Sequence, residues 1–195
     1  RPITLMIPVN LRNYFPSQSM GNFFGWIEVG YKFEENTTFE QLLQSVKDQF
    51  KEKLQKDRIA MDMNGYVRLE KNPFIRAVPL EIKRYFLIAG ANLGGRSITA
   101  VYSNIGILKF PPEYKAYIDR FGIFASTNSL QVCSCSYEDQ FVVDFTSKIP
   151  DDRIQKNFVR MLKEEGISCK EEKNEFPGCG ETQKKEDRKV MQTFT

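Results

Sequence analysis

The sequence contains no histidine among its 195 residues. Histidine is the most frequent general base in enzymes and a common metal ligand. Its absence excludes a Ser-His-Asp triad, a Cys-His pair and any His-ligated metal site formed by this chain alone. A general base supplied by the chain itself has to be Asp, Glu, Lys, Tyr or Cys.

Long apolar runs are also lacking. The most apolar stretch, around residues 85–90, is far shorter than the roughly 18 residues of a membrane span. The opening Arg1-Pro2-Ile3-Thr4 does not have the pattern of a signal peptide. Basic and acidic residues nearly balance, 28 against 25, for a net charge of +3. We therefore expect no membrane span and no nucleic-acid partner.

Cysteine is scarce, with four residues in the chain: Cys133, Cys135, Cys169 and Cys179. This density is too low for a disulfide scaffold. Cys133 and Cys135 alternate with polar residues in a strand-like run, and two thiols without a second pair or a His make a poor zinc site. We expect free thiols in a reducing cytosol, hence a cytoplasmic protein. A Cys169/Cys179 bridge or metal clip is the alternative.

What the sequence does contain is a globular composition, with 41% hydrophobic and 13% aromatic residues. A chain of this length forms one domain or two small ones. We expect one domain over residues 1–170. Residues 171–195 are mostly charged or polar and include Pro177, Gly178 and Gly180, a composition that predicts a disordered tail.

Hydrophobic periodicity predicts strands and helices in alternation. Strands are predicted at residues 3–11, 24–33, 97–109, 122–136, 140–147 and 167–170. Helices are predicted from a cap at residues 36–38 to about Asp57, at residues 72–89, from the pair at 111–112, and from Asp151 or Asp152 to Gly166. This order predicts an α/β fold, with α+β as the alternative, in which helices pack on a mixed β-sheet.

No group of residues forms an obvious catalytic centre. Asp151 and Asp152 lie at a helix start, where carboxylates cap the backbone and interact favourably with the helix dipole. Asp62 and Asp144 are isolated in the sequence. The Gly-rich run at residues 90–95 follows a helix and not a strand, so it predicts a tight turn and not a dinucleotide site.

The first feature that suggests function is Pro8-Val9-Asn10-Leu11-Arg12, followed after a loop by Gly21-Asn22-Phe23-Phe24-Gly25. An Arg at the end of a strand can reach inward and bind a carboxylate through two hydrogen bonds. The alternative is a solvated charge at a strand terminus. The sequence alone leaves both interpretations open.

The second feature is Ser103-Asn104-Ile105-Gly106, which places small polar residues within an apolar strand. Such residues mark either an ordinary β-bulge or a point where a ligand or another backbone comes close. Both interpretations stay open at this stage.

These two runs resemble motifs from the second half of the chloramphenicol-acetyltransferase-like acyltransferases. That superfamily includes the condensation domains of peptide synthetases, the plant BAHD acyltransferases and the bacterial alcohol acetyltransferases. The alcohol acetyltransferases are the most similar, with runs of the type PVNLR..FPS.....NFFG and a later SNIG. The helix at residues 153–166 and the segment after it are also similar to the C-terminal end of that branch. The resemblance covers roughly residues 3–172.

The resemblance implies one half of a two-half, CoA-dependent acyltransferase fold, with the active site in a tunnel between the halves. The catalytic His of such enzymes belongs to an HHxxxD motif in the first half, which this chain lacks. The chain is therefore expected to contribute no catalytic residue and no metal ligand. Arg12 would support the site by pairing with the Asp of that motif, and without it would be solvated or paired elsewhere. The implied tunnel residues are Asn10, Asn22, Ser103, Asn104 and Gly106.

The function implied for the whole enzyme is transfer of an acyl group, of the acetyltransferase type, from a CoA or carrier thioester to an alcohol or amine. This chain alone would be inactive and would bind no cofactor, and acyl-CoA would be the cosubstrate. Its partners would be the first half carrying HHxxxD and a small-molecule acceptor. The alternative is a non-catalytic binding or oligomerisation module that self-associates through its exposed half-interface.

Overall fold

The computed structural model describes residues 2–95, 97–125, 129–147, 151–173 and 190–194. Their contacts divide the chain into two compact units, residues 1–99 and residues 100–195. Each unit combines strands with helices, and the second contains a mixed sheet. The predicted α/β class, with helices on a mixed β-sheet, is confirmed. Within the described residues, no helix has both the length and the apolar character needed to cross a membrane.

The first unit begins with two antiparallel strands, β1 (Ile3–Asn10) and β2 (Phe24–Tyr31). Side chains in β2 alternate: Gly25, Ile27 and Val29 are buried, whereas Phe24, Trp26 and Glu28 are exposed. Helix α1 (Phe39–Lys53) packs against β2. The alternation gives the strand one apolar face for that helix, as expected of a half-buried strand.

Helix α1 begins where the sequence predicts a cap. The Thr38 hydroxyl accepts a hydrogen bond from Gln41 N (3.3 Å), and the Gln41 side chain accepts one from Thr38 N (3.1 Å). This reciprocal pair is a capping box, which satisfies two otherwise unpaired backbone donors. The helix ends at Lys53, a few residues before the predicted end near Asp57.

Three further helices follow: α2 (Lys56–Lys71), α3 (Pro73–Ala77) and α4 (Leu80–Gly95). The prediction of one helix over residues 72–89 is wrong, because the helix is interrupted between α3 and α4. The residue before a proline is disfavoured in the helical region, and Val78, before Pro79, is extended with φ −69° and ψ 128°. The predicted tight turn at residues 90–95 is also wrong, since α4 continues through them.

The second unit contains a five-stranded mixed sheet. Its strands are β3 (Ala100–Leu108), β4 (Leu130–Tyr137), β5 (Gln140–Ser147), β6 (Glu171–Lys173) and β7 (Val190–Phe194), in the order β3-β4-β5-β7-β6. Strands β3 and β4 are parallel, and the other pairs are antiparallel. Helix α5 (Arg153–Glu164) packs on one face, where Val143, Phe145 and Val159 form the buried core.

Several predicted boundaries in this unit are wrong. The strand predicted at 122–136 begins only at Leu130, and the strand predicted at 167–170 lies instead at residues 171–173. The helix predicted from the pair of prolines at 111–112 is a single 3-10 turn, Pro112–Tyr114. The disordered tail predicted at residues 171–195 is wrong at both of its ends, because residues 171–173 form β6 and residues 190–194 form β7. Residues 174–189 lie outside the described part of the chain.

Side chains of α1 form hydrogen bonds with backbone groups at the outer edge of β2. Gly30 N donates to Gln49 Oε1 (3.1 Å), and Gln49 Nε2 donates to Gly30 O (2.8 Å). Lys53 Nζ also donates to the Glu28 carbonyl of the same strand. These bonds satisfy backbone groups that an edge strand would otherwise present to other chains.

We expect Gln49→Met to lower the free energy of unfolding by about 1–2 kcal/mol, because it removes both bonds to Gly30 while keeping the side-chain volume. Gln44→Met on the same helix is the matched control. Gln44 is exposed, and within the described part of the chain its side chain bonds Asp48 alone, so a change within about 0.5 kcal/mol is expected. Urea unfolding of both variants measures the difference. Equal effects would contradict this account.

Candidate functional site

The first group of candidate residues lies at the end of β1. Asn10 is the last residue of the strand and caps a 3-10 turn, Leu11–Asn13, with its Oδ1 accepting from Arg12 N (3.1 Å). Leu11 is 3% exposed and anchors this corner. Its backbone N donates to Phe23 O (3.2 Å), which joins the corner to the residue before β2. The corner is therefore fixed by both packing and backbone bonds.

The Arg12 guanidinium crosses the loop that connects β1 and β2. Its Nη2 donates to the carbonyl oxygens of Ser19 and Gly21, each at 2.7 Å, and its Cζ lies 5.9 Å from the centre of the Phe23 ring. Among the described residues, no carboxylate forms an ion pair with Arg12. The sequence left open either a bound carboxylate or a solvated charge for Arg12. The structure contains neither of these within the described residues. The cation is paired elsewhere, with backbone carbonyls.

Asn22 lies in the same loop, between Gly21 and Phe23, and is exposed. The structure thus brings Asn10, Arg12 and Asn22 together around one corner of the first unit. Asn10 and Arg12 are held by hydrogen bonds to the backbone. Both interactions join residues close in sequence, which fits the short spacing of the motif.

The second group lies in β3 of the second unit, where the strand contains a β-bulge. The register with β4 shifts between Asn104 and Gly106, so that Asn104 faces Ser134 and Gly106 faces Cys135. Gly106 has φ +82°, a conformation that favours glycine, and its N donates to Asn104 Oδ1 (2.8 Å). The bulge that the sequence offered as one interpretation is present. Ser103 precedes it and is half-buried.

A carboxylate that is isolated in the sequence is buried on the opposite side of the sheet from α5. Asp144 is 1% exposed, and its Oδ2 accepts from Ile123 N (2.6 Å). A Cβ at Gly122 would lie 3.1 Å from the same oxygen. Asp144 therefore joins the segment before β4 to the sheet through a side-chain hydrogen bond, and residues 122–125 form no strand. The Gly at 122 was the only sequence signal of this close approach.

Cys133 and Cys135 lie on the same face of β4 as predicted, and both are buried. Burial raises the pKa of both thiols, and the nearby Asp144 carboxylate raises them further. Raised pKa values keep these groups as unreactive thiols near neutral pH. Cys169 is a third free thiol, and Cys179 lies outside the described residues. Within the described residues, no three Cys, Asp or Glu side chains come together as metal ligands.

Strand β6 is joined to the rest of its unit by ion pairs. Glu172 Oε2 lies 2.5 Å from Arg120 Nη2, and Glu172 Oε1 lies 2.9 Å from Lys170 Nζ. The hydrogen bonds from Arg120 and Lys170 hold the pKa of the Glu172 carboxyl at about 2, below its ordinary value. Glu171 pairs with Lys163 of α5 at 3.3 Å. These charges position the strand and offer no general base.

The candidate residues cannot carry out acyl transfer alone. Arg12 is a permanent cation that only donates hydrogen bonds. The asparagine side chains do not titrate, and Ser103 belongs to the bulged strand. These side chains are suited to position loops and to line a binding site. Comparison of the chain with protein-family models, with curated proteins and with solved structures finds no match.

We expect Gly106→Ala to lower the free energy of unfolding by about 1–2 kcal/mol, because any side chain is strained at positive φ. Among the described residues, no atom lies within 4 Å of the new Cβ, so the cost comes from the backbone. Gly65→Ala is the control. Gly65 lies within α2, where alanine is the better helix former, and its Cβ would have no atom of the described residues within 4 Å. That substitution should raise the free energy of unfolding by about 0.5–1 kcal/mol. Urea unfolding giving the same sign for both variants would contradict the assigned bulge.

Proposed function

We propose that this chain is the C-terminal half of an acyltransferase of the chloramphenicol-acetyltransferase-like superfamily, most similar to its bacterial alcohol acetyltransferases. In this proposal the chain forms one wall of a substrate tunnel. A separate first half supplies the HHxxxD motif and its catalytic His. The complete enzyme transfers an acyl group from a CoA or carrier thioester to an alcohol or amine.

The observation that carries the proposal is the way in which Arg12 is held. Of the guanidinium nitrogens, only Nη2 donates to the described residues, and both of its acceptors are carbonyls of the adjacent loop. The Nε and Nη1 groups therefore remain as donors for a carboxylate, to which either can donate a charge-assisted hydrogen bond. The loop carbonyls fix the guanidinium before the carboxylate arrives, so little side-chain freedom is lost on pairing. The Asp of an HHxxxD motif is the partner that we propose.

The proposed steps of acyl transfer follow from the location of the catalytic His in the first half. The His of the first half takes the proton of the acceptor O–H or N–H as the acceptor oxygen or nitrogen attacks the thioester carbonyl. The tetrahedral intermediate then collapses, the C–S bond breaks, and the thiolate receives the proton from the imidazolium. Hydrogen-bond donors near the carbonyl stabilise the developing oxyanion. This chain contributes positioning, since a misplacement of about 1 Å costs on the order of 100-fold in rate.

The proposed tunnel residues differ in whether their side chains already accept a hydrogen bond from the backbone. The side-chain oxygens of Asn10 and Asn104 each accept a backbone hydrogen bond. Their NH2 groups are the part of each amide left for a substrate. Asn22 is exposed, and Ser103 is half-buried. In this proposal Gly106 lets the β3 backbone turn at the bulge, and no side chain obstructs the wall there.

A chimera tests the proposal. We expect acetyl transfer from acetyl-CoA to 1-butanol, followed by release of the CoA thiol, when this chain is joined behind the first half of a bacterial alcohol acetyltransferase. Arg12→Ala should lower kcat/KM by about 100-fold, because the paired carboxylate loses its position. Arg12→Lys should recover only part of the activity, since lysine has to bind the loop carbonyls and the carboxylate through one nitrogen. Arg58→Ala, at an exposed arginine of the same unit, is the control and should have no effect.

Two results would contradict the proposal. The first is equal activity of the Arg12→Ala and Arg58→Ala chimeras. The second is turnover by this chain alone above that of a heat-denatured sample, because the chain has no His to act as the base. Circular dichroism of each variant separates loss of activity from loss of folding.

One observation favours the second candidate, a non-catalytic oligomerisation module. Helices α3 and α4 carry large apolar side chains that are mostly exposed: Phe74, Leu80, Tyr85, Phe86 and Leu87. We call these five residues the apolar helix surface. Tyr85 and Phe86 are 75% and 74% exposed, and a helix with apolar residues on several sides is normally buried. Such a surface favours association with another protein surface.

We expect the isolated chain to self-associate through the apolar helix surface. Sedimentation velocity over a range of concentrations should show dimers or larger species, and Phe86→Glu should reduce them by placing a charge in the contact. Met20→Glu is the matched control, since Met20 is 100% exposed in a loop. It should leave association unchanged. A clean monomer at all concentrations would contradict an exposed interface.

A further inference from the structure

An exposed aromatic surface lies on the side of β1 and β2 that is turned away from α1. Phe24 and Trp26 are two residues apart in β2, so their side chains point to the same side of the strand. Phe24 is 52% exposed and Trp26 is 40% exposed, whereas the residues that alternate with them are buried. In the register with β1, Phe24 faces Asn10 and Trp26 faces Pro8. These four side chains are therefore neighbours, since directly paired residues have Cβ atoms about 4.5–5.5 Å apart.

We define the aromatic face as Pro8, Phe24 and Trp26. Single exposed apolar side chains are common on protein surfaces, but a contiguous group indicates a binding site. Aromatic rings are suited to such a site, because each ring offers a large contact area at little cost in conformational freedom. Both rings can be reached from solvent, so a ligand can contact them without a rearrangement of the sheet.

The polar groups around the aromatic face argue for a neutral ligand that carries a hydrogen-bond acceptor. At one end, Asn10 uses its Oδ1 to accept from Arg12 N, which leaves its NH2 group to donate. At the other end, Glu28 is exposed on the same side of β2 and disfavours an anion. The other side chains that these two described strands place on this side are uncharged. An alcohol meets both conditions, because its oxygen accepts from the amide while its carbon skeleton covers the rings.

We propose that the aromatic face binds the carbon skeleton of the acceptor, and that this acceptor is an alcohol with an aromatic ring. The ring packs on Phe24 and Trp26. The hydroxyl oxygen accepts from the Asn10 NH2 group, which leaves its second lone pair for attack and its proton for the base. This inference rests on the proposed function and deepens it by naming the class of acceptor. An acetyl group ends in a single methyl and is too small to cover two aromatic rings, so the acceptor is the substrate that fits them.

Acceptor selectivity in the chimera tests this role. The kcat/KM for 2-phenylethanol should exceed that for ethanol about tenfold, because covering the ring adds binding energy that ethanol cannot provide. Phe24→Ala and Trp26→Ala should each lower this ratio about fivefold. Phe39→Ala is the control, since Phe39 is 62% exposed at the start of α1, on the other side of β2, and it should leave the ratio unchanged. A variant that is merely less stable loses activity with both alcohols, so the ratio separates selectivity from folding.

Fluorescence tests binding without the first half. Trp26 is the only tryptophan in the sequence, so tryptophan emission reports on the aromatic face alone. Titration of the full chain with 2-phenylethanol should shift the emission to shorter wavelength and reach saturation, because the bound ring excludes water from the indole. Phe24→Ala should raise the concentration at half-saturation about fivefold, and Phe39→Ala should leave it unchanged.

The two experiments separate this inference from the proposed function. A saturable shift together with an inactive chimera would overturn acyl transfer but support the aromatic face as a binding surface for aromatic alcohols. An active chimera with the same selectivity in the Phe24→Ala and Phe39→Ala variants would overturn the inference alone. Absence of a saturable shift in the unaltered chain would also overturn it, because both rings belong to this chain.

Discussion

The interaction on which the proposed role depends is that of Arg12 with two backbone carbonyls. By binding Ser19 O and Gly21 O through a single nitrogen, the guanidinium fixes the β1–β2 loop without a carboxylate. An arginine is suited to this because its planar fork presents several donors at once. The same residue can therefore stabilise the loop within this chain and still pair with a carboxylate from another. A lysine at this position would have to make all of these bonds through one nitrogen.

The second unit depends on a different constraint, the burial of polar groups within its central strands. Strands β4 and β5 are buried on both faces, with Ser134, Asp144 and Thr146 among the most buried residues. Each buried polar group needs a partner, and Asp144 satisfies this by accepting from the backbone of Ile123. The segment before β4 is thereby fixed as a loop. On the other face, the apolar core with α5 provides the packing.

The sequence was sufficient to predict the elements that have strong periodicity and local signals. The cap of α1, strand β5 and helix α5 follow from side-chain spacing and short-range hydrogen bonds, which the sequence contains directly. The break at Pro79 was also visible, but the apolar spacing on both sides outweighed it in the prediction. Residues 122–125 were predicted as part of a strand, whereas the structure has a loop there whose Ile123 N binds the distant Asp144. Such an interaction joins residues far apart in sequence and leaves no local pattern.

The features of the candidate site also separate into those with a local sequence signal and those without one. The bulge at Gly106 and the corner at Asn10 are local, and their residue types indicated them. The carbonyl acceptors of Arg12 could not be predicted, because backbone oxygens carry no sequence signal. The burial of Gln155 in α5 was also missed, since a glutamine in a helix is expected to be exposed.

The most direct test of the central claim is to sequence the coding DNA in frame upstream of the Arg1 codon, for about one further domain. The account predicts a segment that contains HHxxxD, whose Asp would be the carboxylate partner of Arg12. An initiator Met codon directly before Arg1 would contradict it, because the chain would then have no first half to supply the base.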